Sequence, residues 1–371
     1  MPGNYTHFFH PYPAKFPADI VRKCIAEYSK EGERVIDPFC GSGTALVESK
    51  LLGRNAFGID INPVGVLISK AKSANYADKD LLALDSVIEQ VTGAVLVSEM
   101  WIEGHTSDSL PTYENRQYWF SDSVIRELNA IQSELIAPFK EQNPTLYELL
   151  MTAFSRIIVQ VSNQDTETRY ARVEKNIKVG ETLKLFLKTL KAYRKAFTEA
   201  EKPIAETRVE VIEGDTLKEL PKLAENSFDM AITSPPYINS FDYYLYHKHR
   251  IFLLNKSPML VRKTEIGGHH TIDGQTYDKA FNEYRSAMKT VFECLHKILK
   301  PNKKFVLLIG DGIVKGKVIN SAELMEAIAK ETDFCVLKTE TVPLKQVSKT
   351  FIKDKKIERK KHHLMVFVNH K

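Results

Sequence analysis

Only four of the 371 residues are cysteines, at positions 24, 40, 294 and 335, and no two are spaced for a zinc pair or a redox motif. That excludes a disulfide scaffold and predicts four small buried hydrophobes in a reducing intracellular compartment. No apolar run is long enough to cross a membrane, and the N-terminus lacks signal-peptide organisation, so a cytoplasmic protein without membrane contact is expected. Internal repeats and low-complexity tracts are missing as well, which removes solenoids and disordered arrays from consideration. Charge of one sign does not dominate: 52 Lys and Arg against 47 Asp and Glu leave a net +5, which permits a polyanionic partner without indicating one. What is present, 43% hydrophobic and 27% charged residues, is the composition of an ordinary globular protein with a full core.

One glycine is missing from a familiar place. Arg34 to Thr44 reads as a short buried strand, a turn with Gly41 and Gly43, and a helix from Ala45 onward. Glycines at a strand's carboxyl end let backbone approach a ligand without a Cβ. The third glycine of a dinucleotide fingerprint is replaced by Leu46, and no Gly-Lys-Ser/Thr follows for a phosphate loop. Asp37 instead places a carboxylate before the turn, unfavourable for a pyrophosphate and favourable for a cation. S-adenosyl-L-methionine, with an ammonium and a sulfonium, fits. Two further strand patterns end in Asp60, suited to ribose hydroxyls, and in Asp215, suited to an adenine amine. Each alone reads equally as a turn former or helix cap.

A fourth apolar run, Phe228 to Thr233, ends in Ser234-Pro235-Pro236-Tyr237. Successive prolines fix their own φ and deny helix to the residue before them, so the Ser234 side chain and the Pro235 carbonyl can face one point with an aromatic ring beside them. A surface turn would use the same letters.

Together, Asp37-Pro38-Phe39-Cys40-Gly41-Ser42-Gly43 and Ser234-Pro235-Pro236-Tyr237 resemble the cofactor and catalytic motifs of the DNA amino-methyltransferases, which modify cytosine N4 or adenine N6. His10 to Pro17 resembles the stretch that lies beside the methionine end of the cofactor in that family. The resemblance implies a cofactor set of Asp37, Pro38, Phe39, Gly41, Gly43, Thr44, Asp60 and Asp215 with Lys15 and Phe16, and a catalytic set of Ser234, Pro235, Pro236 and Tyr237. Serine in the first catalytic position is typical of the cytosine-N4 branch. The chemistry then needs two acceptors, the Ser234 oxygen and the Pro235 carbonyl, to draw the amine hydrogens out of conjugation, with Tyr237 stacking on a base turned out of the duplex. Cytosine-C5 enzymes need a thiolate in a Pro-Cys context, and none of the four cysteines has one. Adenine-N6 methylation is the runner-up; a catalytically silent DNA-binding subunit and an NAD-dependent oxidoreductase are the readings from other classes.

Alternating strand and helix patterns predict an α/β fold, a doubly wound, mostly parallel sheet. The resemblance implies seven strands in the Rossmann-like class I methyltransferase arrangement, the last two closing as an antiparallel hairpin. The expected catalytic domain comprises 1–76 and 204–371, interrupted by a helical subdomain over 77–203 with helical periodicity through 146–161 and 182–197. Three segments compete to contact double-stranded DNA. The first is Phe241 to His270, with Tyr243, Lys248, Arg250, Arg262 and Lys263; the second is the basic run Lys349 to Lys361. The third is the insert, with Arg169, Arg172, Lys175 and Lys178 around Asn163-Gln164-Asp165. The pairs His269-His270 and His362-His363 have no carboxylate at ligand spacing, so no metal is expected. A cognate restriction endonuclease is an expected partner, and the chain is expected as a monomer or homodimer.

Overall fold

The computed structural model describes residues 6–105, 108–199, 206–239, 241–343 and 361–371. Most of the basic run that begins at Lys349 lies outside them. The chain divides into two compact units, one of residues 16–62, 203–243 and 259–371, the other of residues 1–15, 63–202 and 244–258.

Eleven strands occur among the described residues: β1 Arg34–Asp37, β2 Asn55–Asp60, β3 Gln164–Thr166, β4 Arg169–Arg172, β5 Val209–Glu213, β6 Phe228–Thr233, β7 Leu299–Gly310, β8 Gly312–Val314, β9 Lys317–Ile319, β10 Phe334–Pro343 and β11 Lys361–Asn369. Seven form one sheet in the order β10-β11-β7-β6-β1-β2-β5. The pairs β5–β2, β2–β1, β1–β6 and β6–β7 are parallel, and β11 runs antiparallel to both β7 and β10. The expected doubly wound sheet and its closing hairpin are both present.

Period-two alternation explains why these segments form a two-faced sheet. Met230 and Ile232 of β6, Val306 and Leu308 of β7 and Val366 of β11 share one core with Val21, Cys24 and Ile25 of helix α1 (Ala18–Tyr28). Their neighbours Ala231, Phe305, Leu307, Ile309, Met365 and Phe367 face the other way, into a core with the helices Tyr277–Ile298 and Ser321–Glu331. Residues one apart on a strand point to opposite faces, so continuous apolar runs mean burial on both. The chain passes outward from β1 through β2 to β5, then returns to β6 on the other side of β1. Strand order therefore reverses between β1 and β6, where open α/β sheets leave a crevice for ligands.

Cys24 and Cys40 are buried as expected, whereas Cys294 is half-buried and Cys335 exposed. Cys335 lies on β10, which is an edge strand of the sheet among the described residues.

The second unit is helical. Helices α2 (Thr44–Leu51) and α3 (Pro63–Ser73) follow β1 and β2; α3 belongs to this unit together with α4 (Asp78–Leu96) and the helices Pro144–Val161 and Glu181–Glu199. Leu84, Val87, Val91, Leu149, Phe154, Phe186 and Tyr193 fill its core. Its sequence limits differ from the expected 77 and 203, because Ala71 of α3, Phe9 and Leu253 pack into the same core. The Asn163-Gln164-Asp165 segment is not a bare turn but enters the two-stranded hairpin β3–β4. There Arg169 pairs with Asp165, Arg172 lies over the Tyr118 ring, and Lys175 Nζ donates to Val159 O and Gln164 O.

Candidate active site

At the tip of β1, Asp37 is 3% exposed, and its Oδ1 accepts from Phe39 N at 3.0 Å and from Thr233 Oγ1 at 2.6 Å. Thr233 immediately precedes Ser234, so this bond ties the glycine turn after β1 to the Ser-Pro-Pro-Tyr turn after β6 across the strand-order reversal. Gly41 and Gly43 have φ of 49° and 76°, left-handed values that other residues adopt with strain. The turn is held from β2: Asp60 Oδ2 accepts from Gly41 N at 2.7 Å, and its Oδ1 from Asn62 N at 2.8 Å.

Removal from water pushes Asp37 up to about 7, against the Thr233 and Phe39 hydrogen bonds that favour its charge, with Asp60 adding to the rise. Burial likewise pushes Asp60 up to about 6. Neither carboxylate has a salt-bridge partner among the described residues. Two carboxylates in that state favour any cation brought between them and the solvent.

Ser234 is half-buried at the end of β6, with its Oγ 3.3 Å from Tyr237 Oη, and Pro235 is buried. Tyr284 Oη donates to Pro236 O at 2.9 Å and holds the proline turn from the helix beneath it. The Tyr237 phenol is raised by burial, a shift opposed by the Ser234 hydrogen bond, so it stays protonated. Tyr243 is raised by burial first and then by Tyr237, Asp60 and Glu265, which puts its hydroxyl in the electrostatic reach of both turns.

Other expected residues take local roles. Asp215 Oδ1 accepts from Leu217 N and caps the short helix Thr216–Glu219, while Thr216 Oγ1 donates to Pro38 O in the turn after β1. Phe16 is buried in the core that α1 forms with the sheet, and Thr44 is buried at the start of α2. Lys15 Nζ donates to His7 O and His10 O in the helical unit. Of the expected DNA contacts, Arg262 is half-exposed and Lys263 exposed in the last turn of the helix Pro258–Thr264. Lys248 lies over the Tyr170 ring. Arg250 is not a surface residue: it is 1% exposed, donates to Ser155 O at 2.8 Å and pairs with Glu167 at 2.8 Å. A guanidinium enclosed in that way is unavailable to a phosphate.

The histidine pairs divide as well. His269 and His270 open a short helix, and the carboxylate that their spacing lacked comes to His270 from Asp242, 2.7 Å from Nδ1. With Glu265 these side chains bring ligand-type atoms within 4.8 Å of one another, while His270 Nε2 is engaged at 2.5 Å by Arg262 O. His363 is buried against Asp311, and His362 turns the other way, its ring 5.8 Å from that of Tyr237.

Three residues of the site carry no motif signal. Gly58 of β2 is one: a Cβ there would lie 2.7 Å from Leu46 Cδ1 and 2.9 Å from Cys40 Sγ. The close helix-to-strand approach that a third turn glycine would allow is therefore supplied from the strand. Tyr284 under the proline turn and Gly310 behind Tyr237 are the others.

Residues 2–71 match the family model for the N6/N4 DNA methylases. The type II methyltransferase M.MvaI of Kocuria varians is 29% identical over 250 residues, 63% of this chain and 54% of the relative. M.BsoBI of Geobacillus stearothermophilus is 27% identical over 260 residues, 64% of this chain and 50% of the relative. The chain thus spans about half the length of these curated relatives. Among solved structures, a SAM-dependent methyltransferase of Methanosarcina mazei aligns over 97% of this chain and 99% of its own, at 10% identity and a TM-score of 0.35. By sequence, then, this chain is related to the type II methyltransferases and carries the DNA methylase family's sequence over residues 2–71.

Proposed function

We propose that the chain binds S-adenosyl-L-methionine and transfers its methyl group to the exocyclic N4 amine of a cytosine extruded from double-stranded DNA, as the modification enzyme of a restriction–modification system. The observation that carries this reading is the pair of buried carboxylates without a salt-bridge partner among the described residues: Asp37, joined through Thr233 to the Ser-Pro-Pro-Tyr turn, and Asp60, which holds the glycine turn at Gly41 N. A cationic methyl donor fits that electrostatic demand, and Gly41 and Gly43 carry no Cβ to hold it away from the turn. The family match over residues 2–71 and the type II relatives support DNA as the substrate.

When bound, the cofactor supplies an electrophilic methyl on a sulfonium. The chain's own residues prepare the amine. Tyr237 Oη, as donor, leaves the Ser234 oxygen a lone pair for one amine hydrogen, and the Pro235 carbonyl takes the other. With both hydrogens held, the nitrogen pair leaves conjugation and forms the bond to carbon as the sulfur–carbon bond breaks, its electrons staying on sulfur. The cationic amine then loses one proton to water. The Tyr237 ring stacks on the base and offsets part of the unstacking cost of a few kcal/mol. Serine as the first acceptor favours cytosine over adenine.

Incubation with labelled cofactor and plasmid DNA, followed by nucleoside mass spectrometry, tests the proposal. Label in N4-methylcytosine is expected. Label confined to N6-methyladenine would move the target base, and DNA binding without transfer would make the chain a silent subunit.

A further inference from the structure

The seat of Tyr237 is built by two residues that no catalytic motif includes. Gly310 ends β7, and in the antiparallel register it is paired with His362 of β11. A Cβ at Gly310 would lie 2.8 Å from Tyr237 Cε2 and 3.0 Å from His362 Cδ2, so the missing side chain is what lets both rings occupy the strand end. The rings meet edge to face, at 85°. Aromatic pairs favour this geometry because the positive ring edge meets the negative face.

His362 is itself held. Its neighbour His363 is fixed at 2.9 Å by Asp311 Oδ1, whose other carboxylate oxygen accepts from Lys361 N at 3.0 Å. Asp311 N in turn donates to Lys361 O at 2.9 Å. The strand end that carries His362 is thereby anchored on both sides. From the front, Tyr237 is fixed by Ser234 Oγ, and from below by the Tyr284 bond to Pro236 O. The His362 ring, 5.8 Å from that of Tyr237, stands against it from the end of β11.

We propose that Gly310 and His362 are positioning residues for the stacking platform: Gly310 lets the Tyr237 ring sit against the end of β7, and His362 fixes the angle at which its face meets an extruded base. This rests on the methyl-transfer reading above. The imidazole acts through this edge-to-face ring contact, so a benzene ring of similar width serves in its place.

The test compares the full chain with His362→Ala, His362→Phe and Gly310→Ala in steady-state methyl transfer to plasmid DNA, with cofactor affinity measured by calorimetry and folding by thermal melting. His362→Ala is expected to lower kcat/KM for DNA about tenfold, within the range of one base-stacking contact, with cofactor affinity and melting unchanged. His362→Phe should restore most of the loss. Gly310→Ala should displace the Tyr237 ring and lose at least as much as His362→Ala. Should Gly310→Ala fail to fold, the His362 pair decides alone. Wild-type kcat/KM in His362→Ala, or no recovery in His362→Phe, would overturn the proposal. No transfer by the wild-type chain would instead overturn the functional reading beneath it.

Discussion

In the proposed site, Asp37 makes the sharpest predictions at the scale of single residues. Its carboxyl, pushed up to about 7 by burial, is protonated in the free protein at pH 6 and ionised at pH 8. A ligand ammonium selects the ionised form, so cofactor affinity should fall about tenfold per pH unit below 7 and hold steady above it. Binding at pH 6 should release a proton, read by calorimetry in buffers of different ionisation enthalpy; a pH-independent affinity would separate Asp37 from the ligand. The sign for folding is opposite to that of a salt-bridged carboxylate. Because the folded value lies above the unfolded one, the native state binds the extra proton, and this contribution to stability is lost as pH rises from about 4 through 7. Gly58 makes a steric prediction. Gly58→Ala brings a methyl within 2.7 Å of Leu46 and 2.9 Å of Cys40, and the overpacking should cost about 1–3 kcal/mol in chemical denaturation. A neutral result would mean that α2 can move away without cost.

Between elements, individual polar groups decide how segments are joined. Arg250 of the helix Lys248–Leu253 reaches Ser155 O on the helix Pro144–Val161 and Glu167 beyond β3. Removing one partner leaves a buried charge, so Arg250→Ala should lose about 3–5 kcal/mol of stability. The salt dependence of DNA binding should stay as it was, whereas a phosphate contact would lower its slope by about one. In the other unit, the Asn320 side chain accepts from Ala322 N and Glu323 N at the start of the helix Ser321–Glu331. Asn320→Ala should cost about 1 kcal/mol without changing cofactor affinity. Sequence alone exposes the second of these and not the first. A cap is a local pattern, three residues from its partner, while the separation of 83 positions from Glu167 to Arg250 leaves the pairing invisible until the chain folds.

For the whole molecule, the central strands of the sheet were legible because they are largely buried and because glycine, proline or aspartate stands at or just after the ends of β1, β2, β6 and β7, signals that sit within a few residues of one another. The helices Pro144–Val161 and Glu181–Glu199 were legible from 3.6-residue periodicity. The limit of the helical unit was not. The helix α3 reads as an ordinary crossover helix, and that Ala71 packs into the helical unit's core is decided by residues far along the chain. In the candidate site, Asp37, Asp60 and Ser234 stood out because strand ends gather there. Gly310 and His362 did not, since their register across two strands, 52 residues apart, appears only in the ladder. The central claim joins the two turns into one site with divided labour: the carboxylates at 37 and 60 hold the cofactor, and Ser234 polarises the amine. Its most direct measurement is Ser234→Ala assayed for cofactor affinity and methyl transfer together. The account predicts an unchanged dissociation constant with turnover lowered about 100- to 1,000-fold, the scale of one lost oxyanion-type contact. Turnover near the wild-type value, or a collapse of cofactor binding, would contradict it.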